Sequence, residues 1–324
     1  YLLFGEERSP RGLWNFGFLY ELIKNRPDAI LIISYLSLIS KITLVYARIL
    51  GIPSLFKEEI DKVNESSEFA NKVKDAIFPF MFKLPSMFLY SSTRSKEYYK
   101  ENRVPDRKLL FHQCAVDNEK FQKHIRNIKS VPKIKKELKL PTNKKIISFV
   151  GRFTKRKRVM DVLNAYVAMK SRSKTALLLV GVGPELSELK KAIKKHNLKD
   201  VYIIPSIDQK DVYKIYAVSD LFVVVSSYDP SPKVLNEAMN FSIPVIVSDT
   251  VGTGPDFVKH GKNGFMIKLG DVKALTTYMD KILTNTKLQK KMGKESLKIV
   301  SKTNYNENRK AIEKAVKIVT KKKR

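Results

Sequence analysis

The chain has 324 residues, more than one hydrophobic core usually spans, so two domains are expected. Hydrophobic residues make up 43% and aromatics 10%, enough for packed globular cores, and the one cysteine, Cys114, excludes an internal disulfide. The net charge of +30 either attracts polyanions (nucleic acid, anionic lipid headgroups or nucleotide phosphates) or merely reflects lysines decorating solvated faces.

The chain opens on Tyr1 rather than Met, and no signal peptide is visible. A reducing, cytoplasmic setting and a fragment begun further upstream are the resulting expectations. YLLFG reads as a strand, with Phe18, Leu19, Leu22 and Ile23 on a helix after it. AILIIS (29–34) follows the turn signal RPD as a strand; GIPSLF and MFLYSS (87–92) are two more. KLLFHQCAVD (108–117) leads out of this half. The apolar stretches here are broken by Lys41, Arg48 and Lys83, so none reads as a membrane span of about 20 residues. These strands are too few for a complete doubly wound half, and an N-terminal strand and helix are expected to be missing.

Basic charge is concentrated centrally. Residues 1–100 carry a net +3, residues 101–200 +17 and residues 201–324 +10. Where lysine density rises, Pro132 and Pro141 punctuate the chain, which places a boundary near 120–143. The domains are therefore read as 1–130 and 131–324, with the terminal helix packing back on the first. No stacking aromatics interleave with the basic runs, so nucleic acid is a possible partner without a positive indication.

From residue 141 the alternation is clear. KKIISFV (144–150), TALLLV (175–180), VYII (201–204), LFVVV (221–225), PVIVS (244–248) and GFMI (264–267) are apolar runs. Between them lie amphipathic helices, one carrying Val159, Val162, Leu163, Tyr166 and Met169, another Leu186, Leu189 and Ile193. Continuous apolar strands alternating with such helices predict a parallel α/β sheet covered on both faces.

Open α/β sheets bind ligands beyond the carboxyl ends of their strands. Gly151, Arg152 and Lys157 follow the first of these runs, Gly181 and Gly183 the second, Ser226, Ser227 and Asp229 the fourth. Ser231-Pro232 reads as N-cap and first helical residue. The amides of Lys233 and Val234 then form an anion site at the helix start. Glu237 lies four residues beyond Lys233 and shares its face, where it could take neighbouring hydroxyls. Taken singly, each has a plainer reading: Glu237 a solvated helix acid, Asp229 a turn residue, Arg152 and Lys157 part of the general basic excess, Gly181 and Gly183 a turn. Together they describe a site for a phosphate flanked by diols, a nucleotide sugar.

VDNEKF (116–121), VGRFTKRKR (150–158), VGVGP (180–184), VSSYDPSPKVLNEAMNFSIPVIVSD (225–249) and HGKNGF (260–265) resemble the retaining, nucleotide-sugar-dependent glycosyltransferases of the group 1, family 4-like kind. The resemblance covers about residues 108–285, and the family's acid, seven residues, acid signature falls on Asp229 and Glu237. It implies a GT-B fold, two Rossmann-like doubly wound domains facing a central cleft, with the first domain incomplete. It also implies Arg152 and Lys157 on the donor diphosphate, Glu237 on the ribose hydroxyls and Asp229 near the transferred sugar. Gly151, Gly183, Ser231, Lys233 and Val234 complete the expected donor site.

The chain departs from the pattern at several places. The first acid is usually glutamate, the loop glycine is replaced by Pro232, and the glycine commonly following the donor-site lysine is Arg158, which adds a cation. A pair of glycines after the SD is altered to TVGTG, with Asp256 where an acid is usual. In the first half the glycine-rich opening is absent, and Lys57-Glu58-Glu59 stands where histidine is often found. Glu58 or Glu59 could face the reaction centre, though a solvated loop acid is the simpler reading.

The expected activity is retaining hexosyl transfer from a nucleotide-diphosphate donor to an acceptor hydroxyl in cell-surface glycan or glycolipid synthesis. The acceptor class is a glycan or lipid-linked sugar, and docking is expected on an anionic membrane surface at its inner face. No His/Asp cluster with metal-ligand spacing appears, so neither a metal nor any other resident cofactor is expected. The alternatives are a non-catalytic GT-B nucleotide-binding scaffold and a nucleic-acid-binding or nucleic-acid-glycosylating member.

Overall fold

Apolar runs become parallel strands in both halves of the chain. The computed structural model describes residues 16–33, 37–59 and 79–321. They divide into two compact units. The first contains the described residues through Cys114 together with the helix Tyr305–Lys321; the second is Ala115–Asn304. The YLLFG strand lies outside the described residues.

The first unit has four parallel strands, β1 (Ile30–Ile33), β2 (Ser54–Lys57), β3 (Met87–Tyr90) and β4 (Leu109–Phe111), in the order β1-β2-β3-β4. Because side chains alternate across a strand, neighbouring positions feed opposite faces. Ile32, Phe56 and Phe88 pack under Leu44 of the helix Leu38–Ile49 and Tyr99 of the helix Thr93–Glu101. Leu55, Met87 and Leu89, on the other face, pack against Ala315 and Val319 of the helix Tyr305–Lys321. The run KLLF thus ends as a strand of this sheet rather than as a mere exit from it.

The second unit has six parallel strands: β5 (Lys145–Val150), β6 (Thr175–Val180), β7 (Val201–Ile204), β8 (Leu221–Val224), β9 (Val245–Ser248) and β10 (Gly264–Ile267). Their spatial order is β7-β6-β5-β8-β9-β10. This is the doubly wound order, with its switch point between β5 and β8. One face is covered by the helices Val159–Ala168, Leu186–Lys195 and Val272–Leu283 over Ile147, Leu177 and Val223. The other is covered by Tyr213–Ala217 and Lys233–Asn240, around Phe222 and Val245.

The division falls at 114/115, earlier than the 130/131 boundary read from charge and proline. The helix Asn118–Asn127 is the reason: its Phe121 packs edge-on against Tyr216 and Phe241 of the second unit. Asn118 Nδ2 also donates to the carbonyls of Val300 and Thr303, at 3.1 and 2.7 Å. Lysine density marks the solvated surface of this segment, whereas the boundary follows its apolar contacts. Among the described residues no helix is long and apolar enough to cross a membrane.

Candidate functional site

β5 and β8 lie side by side at the switch point, so the loops leaving their carboxyl ends meet. The β5 loop runs through Gly151 and Arg152 to a 3-10 turn, Lys155–Lys157. Ser227, just beyond β8, donates its backbone N–H to the Arg156 carbonyl at 2.8 Å. On the other flank the same loop is stitched to the end of β6: Gly151 N–H donates to Val180 and Phe153 N–H to Val182. This approach is why VGVGP carries its glycines. A Cβ on Gly181 would lie 2.0 Å from the Gly151 carbonyl oxygen, and one on Gly183 2.2 Å from that of Phe153. Gly183, expected to touch a donor, has a structural duty that explains it independently. Gly151 differs, since a Cβ there would meet only the Phe149 ring at 3.7 Å.

Lys157 and Asp229, 72 residues apart, form an ion pair through Lys157 Nζ and Asp229 Oδ2. Both are largely withdrawn from water, with side-chain exposures of 20% and 12%. Asp229 is fixed from behind, because Gly252 N–H donates to its carbonyl at 2.8 Å and Val251 pairs with it in a parallel bridge. Arg152 is exposed, and its guanidinium has no polar partner among the described residues.

Arg158 does not add a free cation to the site. Its Nε binds Asp161 at 2.6 Å, and its backbone is left-handed, at φ 53° and ψ 40°. The position keeps the conformation a glycine would adopt readily, while the side chain is turned towards the following helix.

The helix after β8 starts one residue later than the serine-proline pattern suggests. Its N-cap is Pro232, whose ψ of 104° is extended, and the helix is Lys233–Asn240. Ser231 is therefore not the cap; it lies buried one place ahead. Proline's fixed φ suits either place, so ψ, set by the chain's packing, decides between them. The amides of Lys233 and Val234 still lead the helix, where N–H groups have no acceptor inside it.

Glu237 is half-buried on this helix and accepts from the Tyr216 hydroxyl at 2.6 Å. Burial raises its pKa above the usual carboxylate value; the Tyr216 hydrogen bond and the charges of Lys233 and Lys120 oppose that rise. Tyr216 itself is pushed well above the ordinary phenol range, first by burial and then by the neighbouring carboxylate. The run DVYKIYAVS reads in sequence only as a helix, so Tyr216 had no signal beyond its apolar spacing.

The structure thus joins Lys157 directly to Asp229 and puts Lys233, Val234 and Glu237 on one short helix just beyond that pair. Gly151 and Arg152 lie on the adjoining loop, without a hydrogen bond or ion pair from Arg152 to Glu237. Cations with leading helix amides suit an anion, and a partly buried carboxylate suits hydroxyl donors. Among the described residues no group of three or more His, Cys, Asp and Glu could hold a metal ion.

In the first unit, sequence reasoning passed over His112, directly after β4. It is buried, and burial, aided by the Lys57 charge, lowers its pKa to about 4. Glu58 enters the structure through its backbone, its carbonyl receiving the Tyr99 hydroxyl at 3.5 Å.

Two parallel-sheet α/β units define the GT-B fold, and solved structures of that fold agree. Anabaena Alr3699/HepE in complex with UDP superposes with a TM-score of 0.76 at 16% identity, covering 92% of this chain and 81% of that one. A glycosyltransferase from Rickettsia africae gives 0.76 at 19% identity, covering 93% and 79%. The chain belongs to the family "Glycosyl transferases group 1", whose model matches residues 130–298.

Among curated relatives, N-acetyl-alpha-D-glucosaminyl L-malate synthase of Bacillus anthracis is 29% identical over 168 residues, 52% of this chain and 44% of that protein. The uncharacterized glycosyltransferase MJ1069 of Methanocaldococcus jannaschii is 29% identical over 252 residues, 75% of this chain and 62% of that protein. The chain matches less than two thirds of the length of either relative.

Proposed function

We propose that this chain binds a nucleotide-diphosphate sugar at the β5/β8 switch point and transfers the sugar to an acceptor hydroxyl with retention. The observation that carries this reading is the Lys157–Asp229 pair, drawn from loops at the two central strand ends and set just before the Lys233–Asn240 helix. The names of relatives lend support: HepE has been solved with UDP and with UDP-glucose. Others carry names in amylovoran and lipopolysaccharide core biosynthesis. A cell-surface glycan or a lipid-linked sugar is accordingly the acceptor class we assign.

As the glycosidic bond stretches, negative charge collects on the leaving diphosphate. Lys157 would exchange Asp229 for that charge, joined by Arg152 and the amides of Lys233 and Val234. Donors fixed in advance of charge development lower a barrier by a few kcal/mol each. Asp229, released by its lysine, would face the transferred sugar, and Glu237 would take the ribose hydroxyls. The site is assigned no metal and no resident cofactor. Docking on anionic lipid at the inner face of the membrane completes the proposal, with the concentrated basic charge as its motive.

The decisive experiment is a thermal-shift screen of UDP-, GDP- and ADP-sugars without metal. A donor at about 100 times its dissociation constant stabilises the chain by roughly 2.7 kcal/mol. Binding by none of the three rejects the donor site. Turnover lost in excess chelator and restored by magnesium rejects metal independence.

A further inference from the structure

Tyr216 sits at the heart of the second unit, 1% exposed, on the short helix Tyr213–Ala217. Its ring is enclosed by Phe121, Phe222 and Phe241 at centroid distances of 6.4, 5.7 and 5.7 Å. The one polar atom of that side chain leaves this apolar cage and ends on Glu237 Oε2 at 2.6 Å. A buried phenol needs an acceptor. Here it has found the carboxylate that the proposed function places on the ribose.

The contact constrains Glu237 as well. A carboxylate offers two oxygens to donors. With Oε2 held by a side chain whose ring cannot turn away, the carboxylate's rotation is fixed, and among the described residues Oε1 has no protein partner. The helix alone would leave the glutamate its own rotamer freedom, since a glutamate side chain has three rotatable bonds.

We infer that Tyr216 is a positioning residue for nucleotide selection: it locks the Glu237 carboxylate so that its remaining oxygen is presented to the hydroxyls of a ribonucleotide. Tyr216 acts through Glu237 and does not touch the ligand. The inference rests on the donor-site reading given above. It predicts that the site discriminates the sugar of the nucleotide, ribose against deoxyribose, more sharply than the base.

The test compares UDP with its 2′,3′-dideoxy analogue by calorimetry, with the GDP and ADP pairs run alongside, on the full chain. A charge-assisted hydrogen bond corresponds to roughly 10- to 100-fold preference for the ribonucleotide in the unsubstituted protein. Glu237→Gln should abolish most of that preference. Tyr216→Phe, which keeps the ring and its cage, should reduce it roughly tenfold while leaving affinity for the dideoxy form nearly unchanged. A merely structural role would weaken both nucleotides equally.

A pH series gives a second readout. The carboxylate must be ionised to accept hydroxyls, so ribonucleotide affinity falls as pH drops through the Glu237 pKa. Three groups favour the ionised form: Tyr216, Lys233 on the same helix and Lys120 from the helix Asn118–Asn127. Tyr216→Phe removes the first, so the acid limb should move to higher pH. If that variant does not fold, biosynthetic 3-fluorotyrosine, a stronger donor, should move the limb the other way. Loss of discrimination in Glu237→Gln with full discrimination and an unmoved limb in Tyr216→Phe overturns the inference and leaves the donor site standing. Absence of ribose discrimination in the unsubstituted protein overturns the inference and the ribose role of Glu237, whereas the donor site is rejected only if none of the nucleotides binds.

Discussion

In the second sheet β5 and β8 are neighbours although β6 and β7 separate them in the chain, whereas the described strands of the first sheet follow chain order. Parallel crossovers are right-handed, so a run of strands laid down in one direction puts its connecting helices on one face. The first unit obeys this: Leu38–Ile49 and Thr93–Glu101 lie on the same side, over Ile32, Phe56 and Phe88. The opposite face is left to a helix from the far end of the chain, Tyr305–Lys321.

In the second unit the direction reverses after β7, and the connecting helices change sides with it. The chain leaving β5 enters a helix on one face and the chain leaving β8 a helix on the other, while their first loop residues stay joined through Ser227 and Arg156. The Lys157–Asp229 pair and the proposed anion groups gather there. Two parallel sheets built from similar apolar runs thus differ in what their strand order brings together at the carboxyl edge.

The largest expected effect tests whether the β5/β8 edge carries the proposed chemistry. Lys157→Ala should lower donor turnover by roughly 10²- to 10³-fold, the scale for losing one preorganised electrostatic donor. An equivalent change at Lys57, which ends β2 in the first unit, should be far smaller. Equal losses at both positions would erase the distinction drawn between the two strand edges.

A smaller effect concerns backbone approach. Gly181→Ala must move a Cβ away from a carbonyl 2.0 Å distant, in a loop stitched on both sides, so it should destabilise by several kcal/mol. Gly51 in the first unit has φ +66°, and a Cβ added there would meet nothing within 4 Å. Gly51→Ala should therefore cost only the left-handed penalty, about 1–2 kcal/mol. Chemical denaturation of the two variants checks the contrast.

His112 sharpens the comparison through pH. Its folded pKa, about 4, lies below the unfolded value near 6.5, so the unfolded chain binds its proton first. The stability that follows from keeping it neutral is present above about pH 6.5 and is lost as pH falls towards 4. The melting temperature should drop over that window, and His112→Phe should flatten the drop.

The smallest effect is Arg158→Gly. It relieves a left-handed backbone and removes the Asp161 pair, two changes of about 1 kcal/mol each that oppose one another. The net shift in stability should stay within about 1 kcal/mol, with donor binding unaltered. A tenfold loss of donor affinity would return Arg158 to the site.

Much of this was legible in the residues. Uninterrupted runs such as TALLLV and LFVVV, alternating with amphipathic helical stretches, fit a parallel sheet with helices on both faces, and both patterns are local. Asp229 and Glu237 stood out because their spacing brackets a helix start, which is also a local property. Ser231 failed as a cap because the choice between cap and first turn depends on Pro232's ψ, which its ring does not fix. The boundary at 114/115 was missed because Phe121 looks the same in sequence whichever core it enters.

The sequence by itself determined the parallel α/β architecture, the strand ends and the residue types that stand there, since these follow from short-range patterns. Only the tertiary structure decided that Lys157 meets Asp229 across 72 residues, that Arg158 turns to Asp161 and that Tyr216 ends on Glu237. Those contacts depend on how loops from non-adjacent strands converge at the switch point and how helices stack on the sheet. Chain order and spacing do not encode that convergence locally; burial of the whole sheet imposes it.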